Sequence, residues 1–108
     1  MAKYKNKPIQ IHGIWFQSEK EGFRYMELLS ELQAGKIECL ELQKEYELIP
    51  KQQKSNGKFE QPVKYKADFA YVRDGKEYVE DTKGFRTKDY VIKRKLMLFV
   101  HGVEIVES

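Results

Sequence analysis

The chain has 108 residues, a third of them charged, with 20 lysines and arginines against 17 acids and a formal net charge of +3. That length supports one hydrophobic core and not two, so residues 1–108 read as a single domain behind a mobile basic arm at 1–8. One cysteine, Cys39, excludes an internal disulfide, two histidines (His12, His101) leave no zinc-ligand spacing, and the longest apolar run, 96–100, is too short to cross a bilayer, so a soluble cytoplasmic protein is expected.

Ile9 to Phe16 alternates around His12-Gly13 and predicts a short hairpin or extended arm. Ser18 then opens a helix. Ser18 with Glu21 fits a capping box, Phe23, Met26, Leu29 and Leu32 recur every three residues, and Gly35 is a natural stop. From Ile37 to Ile49 the residues Leu40, Leu42, Tyr46 and Leu48 share one parity, and Cys39, Glu41, Gln43, Glu45 and Glu47 the other, which predicts a strand with one polar face. Ser55-Asn56-Gly57 marks a turn, with Pro50 and Pro62 interrupting the outer ends of its hairpin. Val63 to Arg73 returns as the next strand, with Ala67, Phe69 and Tyr71 expected in the core beside Leu40, Leu42 and Tyr78.

Asp74-Gly75 favours a two-residue type I′ turn. Arg73 then pairs with Lys76. Counted back along both strands, Asp68 faces Asp81 and Lys66 faces Lys83. Like charges directly opposite destabilise a sheet, so two such pairs in succession point to a function. Two carboxylates and an ammonium suit Mg²⁺ and phosphate, because Mg²⁺ takes hard oxygen ligands and keeps several waters. The same counting through a two-residue loop at Asn56-Gly57 pairs Glu45 with Asp68 and makes Gln43 its diagonal neighbour. Gly84 ends the strand, Thr87 caps a helix running to His101, Gly102 stops it, and Val103 to Val106 forms a last strand parallel to its neighbour. The expected fold is therefore α/β (α+β): helix, three antiparallel strands, helix, strand, with a mixed sheet of about four strands flanked by helices.

The acidic residue on the first helix, the aspartate on the second strand, and Asp81-Thr82-Lys83 on the third resemble the PD-(D/E)xK nuclease superfamily over nearly the whole chain. Ser-Glu-Lys-Glu-Gly-Phe-Arg-Tyr, Leu-Glu-Leu-Gln, Ala-Asp-Phe and Val-Glu-Asp-Thr-Lys-Gly-Phe are similar to segments of a group of small phage and prophage proteins of that superfamily. Its relatives include endonucleases and Holliday junction resolvases. Ala67 stands where the motif name has proline, and Asp81 where glutamate is usual.

The resemblance implies a restriction-endonuclease-like core and a Mg²⁺-dependent endodeoxyribonuclease, with Mn²⁺ able to substitute. It implies action on branched or structured DNA in phage replication, recombination or packaging inside a bacterial host. Asp68 and Asp81 would hold the ion, with the carbonyl of Thr82 adding a third oxygen. Lys83 would position the attacking water or stabilise charge. Glu21, fully accounted for by its capping box, gains a metal role only through the resemblance, and Gln43 joins the catalytic group through its register. Lys3, Lys5, Lys7, Lys66, Arg86, Lys88, Lys93 and Arg94 would contact nucleic acid, although the helix lysines also fit an ordinary solvated face. A resolvase would need a homodimer to cut two strands. The alternative is a nucleic-acid-binding module with the same fold and little or no hydrolysis.

Overall fold

The computed structural model describes residues 7–82 and 86–108. It is a mixed α+β structure built on a four-stranded mixed sheet and two helices. β1 (Ile9–Ile11) and β2 (Ile14–Phe16) form a hairpin through His12 and Gly13, whose positive φ values of 53° and 79° are those of a type I′ turn. α1 (Glu19–Gln33) follows, with the Ser18 side chain accepting from the Glu21 N–H and Gly35 at φ 75° just past its end. Its buried face is Glu21, Gly22, Tyr25 and Leu28, supported by Leu29 and Leu32. Phe23 and Met26, whose three-residue spacing marks the helix, are half exposed. The helical stripe rotates past them onto Tyr25 and Leu28, because 3.6 residues per turn outrun a strict period of three. Gly22 lets the hairpin dock. A Cβ there would come within 2.7 Å of Ile9 Cγ2.

The sheet order is β3 (Glu38–Ile49), β6 (Val63–Arg73), β7 (Lys76–Asp81), β8 (Ile105–Glu107), antiparallel except for the parallel pair β7 and β8. β6 and β7 pair Arg73 with Lys76 and Phe69 with Glu80, the register expected from the Asp74-Gly75 turn. The β3–β6 register differs by two residues from expectation. Glu45 pairs with Lys66, not with Asp68, and Gln43 takes the place across from Asp68, between the pairs Leu42↔Phe69 and Lys44↔Ala67. The turn explains the shift: Lys54 N–H donates to the Lys58 carbonyl around a three-residue loop with Gly57 at φ 87°, and an irregularity between Glu47 and Ile49 adds the second step. Short strands β4 (Gln52–Gln53) and β5 (Phe59–Glu60) lie beyond the two prolines as a separate ribbon.

α2 (Lys88–Leu96) starts at the Thr87 cap and runs into a π-helical turn, Met97–His101, closed by Gly102 at φ 68°. The final strand begins at Ile105, two residues later than expected. Lys83 and Gly84, with the expected strand break, lie outside the described residues, as do Lys3, Lys5 and most of the basic arm.

Two hydrophobic clusters reveal an irregularity that alternation alone does not predict. Tyr65 and Ala67 pack with Tyr46, Leu48, Tyr90 of α2 and Met97 of the π-helical turn, whereas Phe69 and Tyr71 pack with Leu42 and the α1 residues Tyr25 and Leu28. All four β6 residues are odd-numbered and would share one face of a regular strand. Alternation therefore changes face at Asp68. β3 does the same across from it: Leu40 and Leu42 join the α1 cluster, Tyr46 and Leu48 the α2 cluster, and Gln43 between them has φ 55°. The expectation that Ala67, Phe69 and Tyr71 form one face is corrected accordingly.

A buried ion pair locks α1 onto the sheet. Glu80, fully buried, receives Arg24 Nε at 2.5 Å and Nη2 at 3.0 Å, together with the Tyr71 hydroxyl at 3.0 Å. Bidentate guanidinium geometry and the extra hydroxyl satisfy the carboxylate that burial strips of water. Removing Arg24 leaves that charge uncompensated. Arg24→Ala should therefore cost about 3–5 kcal/mol in urea unfolding, and the Arg24→Ala/Glu80→Gln double variant should recover part of the loss. A loss below about 1 kcal/mol would show that the pair does not anchor the helix.

Candidate functional site

The point where β3 and β6 change face is also where the acidic residues of three elements meet. From α1, Glu21 enters the interior with only 5% of its surface exposed. From β3, the Gln43 side-chain amide donates to Glu21 Oε2 at 3.2 Å and to Asp68 Oδ1 at 3.4 Å. From the end of β7, Thr82 donates both its backbone N–H and its hydroxyl to Asp68 Oδ2, each at 2.9 Å. Asp68 is thus held on both oxygens. The positive φ at Gln43 is uncommon for a residue with a side chain and costs on the order of 1 kcal/mol, a strain that concentrates at functional positions. Here it aims the amide between two carboxylates.

Asp81 is fully buried and accepts the Tyr65 hydroxyl at 2.5 Å. Burial and this bond to Asp81 push the Tyr65 phenol far above its ordinary range, so it stays a donor at any physiological pH. The β6–β7 ladder ends at the Phe69↔Glu80 pair, one residue short of Asp68 and Asp81 on either strand. Two aspartates and Glu21 then form one electrostatic unit. Burial, followed by the negative charge of Asp68, raises the Glu21 carboxyl from 4.5 to about 7; the Gln17 N–H opposes the shift, while a hydrogen bond shared with Asp68 and the charge of Asp81 add to it.

The sequence reading thus has Asp68, Asp81, Glu21 and Gln43 as candidates, and the structure brings Glu21, Gln43, Asp68 and Thr82 into direct contact, with Asp81 acting on Glu21 through space. Glu21 forms only the backbone half of the expected capping box with Ser18. Its carboxylate turns inward to Gln43 and the Gln17 amide, so the cap does not account for it. Lys66 is exposed and faces Glu45, an opposite charge, on the β3 side, while the pair expected with Lys83 on the other side lies outside the described residues. The Thr82 N–H and hydroxyl are committed to Asp68.

Of the proposed nucleic-acid contacts, Lys7 and Lys88 are exposed and Lys93 is half-buried. Arg86 and Arg94 converge on Glu107, to which Tyr90 also donates at 2.6 Å. Hydrogen bonds from Arg86 and Tyr90, reinforced by Arg94, hold the Glu107 carboxyl down to about 2. Tyr65, Glu80 and Glu107 were not anticipated as polar anchors. The signal for Glu80 is an acid at a position whose neighbours on both sides alternate into the core. Tyr65 carries none beyond a hydroxyl on a core residue.

As to metal, among the described residues no group of three or more His, Cys, Asp or Glu side chains forms a ready-made cage. Neither Glu21 nor Asp68 forms an ion pair among them. Mg²⁺ needs only one or two carboxylates, its own waters and a substrate phosphate, so a concentrated acidic pair bridged by an amide fits that ion without a cage. Such a donor set does not suit zinc, which favours sulfur and imidazole.

The raised Glu21 pKa fixes a sign for stability against pH. The unfolded chain releases this proton near 4.5 and the folded chain near 7, so the folded form holds more protons between those values. Stability present below pH 4.5 is lost as pH rises through 7, by up to about 3 kcal/mol. Thermal melting in EDTA should show Tm falling between pH 5 and 7.5, and Glu21→Gln should flatten that fall. An unchanged pH profile in the variant would remove Glu21 from the acidic unit.

No curated protein and no solved structure matches the chain. No helix among the described residues is long and apolar enough to cross a membrane. Residues 1–102, almost the whole chain, match a family described as protein of unknown function (DUF1064). The strained strand crossing and its acidic unit therefore lie wholly within the matched region, and the chain belongs to the DUF1064 family.

Proposed function

We propose that the chain is a metal-dependent DNA endonuclease of the PD-(D/E)xK type, an endodeoxyribonuclease hydrolysing phosphodiester bonds. The observation that carries this reading is the Gln43 amide bridging Glu21 and Asp68 at a strained break in the sheet, with the charge of Asp81 reaching Glu21 through space. Structural carboxylates elsewhere in the molecule are matched to arginines, as Glu80 and Glu107 are. Glu21 and Asp68 are held by neutral donors from Gln17, Gln43 and Thr82 and by no cation among the described residues, which suits a ligand that brings positive charge.

Asp68 and Asp81 would hold Mg²⁺ or Mn²⁺, with Glu21 as the third carboxylate. The bound ion would acidify water and offset charge at phosphorus. Thr82 fixes the Asp68 carboxylate so that one oxygen keeps its direction through the reaction. Gln43, held by Glu21 and Asp68, orients the attacking water. Hydrolysis adds that water to phosphorus, breaks one P–O bond to sugar and leaves a phosphomonoester and a hydroxyl. Glu21 must give up the proton it holds up to about pH 7 for the ion to bind, which couples metal binding to pH. Lys83 is assigned by the sequence resemblance to stabilise charge on the phosphoryl oxygens. Branched DNA as the preferred substrate, and a phage setting in a bacterial cytoplasm, rest on that resemblance as well.

The absence of a ready-made cage among the described residues favours one competing reading, a DNA-binding module with little hydrolysis. Supercoiled plasmid and a synthetic four-way junction, incubated with Mg²⁺, Mn²⁺, Ca²⁺ or EDTA, separate the two. Cleavage should require Mg²⁺ or Mn²⁺ and rise with pH toward 8 as Glu21 ionises. Asp68→Asn and Lys83→Ala should each lower the rate by a factor on the order of 100 or more while duplex binding in Ca²⁺ persists. Binding without metal-dependent cleavage would favour the module, and equal cleavage by wild type and Asp68→Asn would remove the site.

A further inference from the structure

The strands that carry Gln43 and Asp68 continue past the body of the protein into a ribbon that no core residue explains. All twelve residues from Pro50 to Gln61 are exposed. Even so, the ribbon is built. β4 and β5 pair Gln52 with Glu60 and Gln53 with Phe59. At the tip, Lys54 N–H donates to the Lys58 carbonyl at 2.7 Å, Asn56 Oδ1 accepts from the Lys58 N–H at 2.9 Å, and the Gln53 amide reaches the Gly57 carbonyl at 3.2 Å. Pro50 and Pro62 flank it on both strands, stiffening the entry and preventing either position from donating to the ladder.

Ordering twelve residues costs conformational entropy that hydrophobic burial does not repay here. The surface composition indicates what does. From 50 to 66 the chain carries Lys51, Lys54, Lys58, Lys64 and Lys66 against a single acid, Glu60. Between the lysines stand the amides Gln52, Gln53, Asn56 and Gln61, and Phe59 is half exposed under the Lys51 ammonium, 4.5 Å from its ring centre. Ammonium groups bind phosphates without regard to sequence, and amides bond base edges.

We infer that the 50–61 ribbon is a duplex-DNA arm that enters the major groove beside the proposed cleavage site; this rests on the nuclease reading for what lies at the other end of the strands. The B-DNA major groove, about 12 Å wide, admits a two-stranded β-ribbon, whereas the deep, narrow major groove of A-form RNA does not. The twelve residues from Asp68 to Asn56 reach at most about 40 Å at ~3.3 Å per residue, close to one ~34 Å helical turn of DNA. The arm therefore grips duplex about one turn from the bond to be cut, and requires a substrate of at least that length.

The test measures binding of the full chain to fluorescein-labelled 24-base-pair and 8-base-pair duplexes by anisotropy in Ca²⁺, from 50 to 200 mM salt. Lys51→Ala/Lys54→Ala/Lys58→Ala is compared with wild type. The triple variant should lose affinity for the long duplex by a factor on the order of 100, and its slope of log K against log salt should fall by about 2 to 3. On the short duplex the two proteins should bind alike. Circular dichroism melting and sedimentation should be unchanged, since the ribbon buries nothing. Equal binding of the long duplex by both proteins, equal losses on both lengths, or a change of oligomeric state in the variant would overturn the arm; the last would make it a contact between protein chains. Wild type that binds no duplex would sink the arm and the nuclease reading together. Length-dependent loss of binding in a protein that never cleaves would keep the arm and sink the nuclease.

Discussion

Two adjacent antiparallel strands change face at the same level, and the geometry of the candidate site follows from that. In a regular β3–β6 pair, Leu42, Tyr46, Tyr65 and Phe69 would all point one way and one helix would cover them. Turning over at Gln43 and Asp68 sends one half of each strand toward α1 and the other half toward α2. A sheet covered on both sides by short helices has its polar groups squeezed to the seam between the clusters. Gln43 occupies that seam at a positive φ, and its amide is delivered to Glu21 and Asp68 as a result.

Charge compensation then separates scaffold from site. Glu80 is as buried as any residue in the molecule, yet a bidentate arginine and a tyrosine complete its shell. Glu107 gathers Arg86, Arg94 and Tyr90 and joins the start of α2 to the last strand. Both carboxylates are satisfied within the protein. Glu21 and Asp68 instead share hydrogen bonds with each other's surroundings, and the result is a carboxyl poised near neutrality. Poised acids of this kind mark sites where a cation or a proton is exchanged. Tyr65 and Thr82 complete the arrangement by hydrogen-bonding Asp81 and Asp68 respectively.

Local chemistry carried much of this into the sequence. His12-Gly13 and Asp74-Gly75 specify their hairpins because two-residue turns leave one register, and Ser18, Gly35, Thr87 and Gly102 mark the helix limits through caps that act over three or four residues. The strands flanking Asn56-Gly57 sit two residues out of the register a two-residue turn would give, because Gly57 lies in a three-residue loop and a further irregularity follows near Glu47, and neither leaves a distinctive residue. The change of face at Gln43 was invisible for a related reason. A left-handed glutamine has no sequence signature, and an apolar alternation reads identically whether it serves one helix or two. Glu21 showed the opposite failure: its capping role was legible, and sufficient, so the burial of its carboxylate left no trace. Phe23 and Met26 illustrate that a period of three is not a helix face.

The central proposal is that Asp68, Asp81 and Glu21, with Gln43 beside them, receive a divalent cation. Titrating Mn²⁺ into isotopically labelled protein and following paramagnetic broadening tests it directly, without substrate or turnover. The account predicts that the backbone signals of Asp68 and Thr82 and the side-chain amide of Gln43 broaden first, and that Asp68→Asn abolishes this while the rest of the spectrum is retained. Broadening confined to exposed acids such as Glu41 and Glu77, or no selective broadening at all, would contradict it.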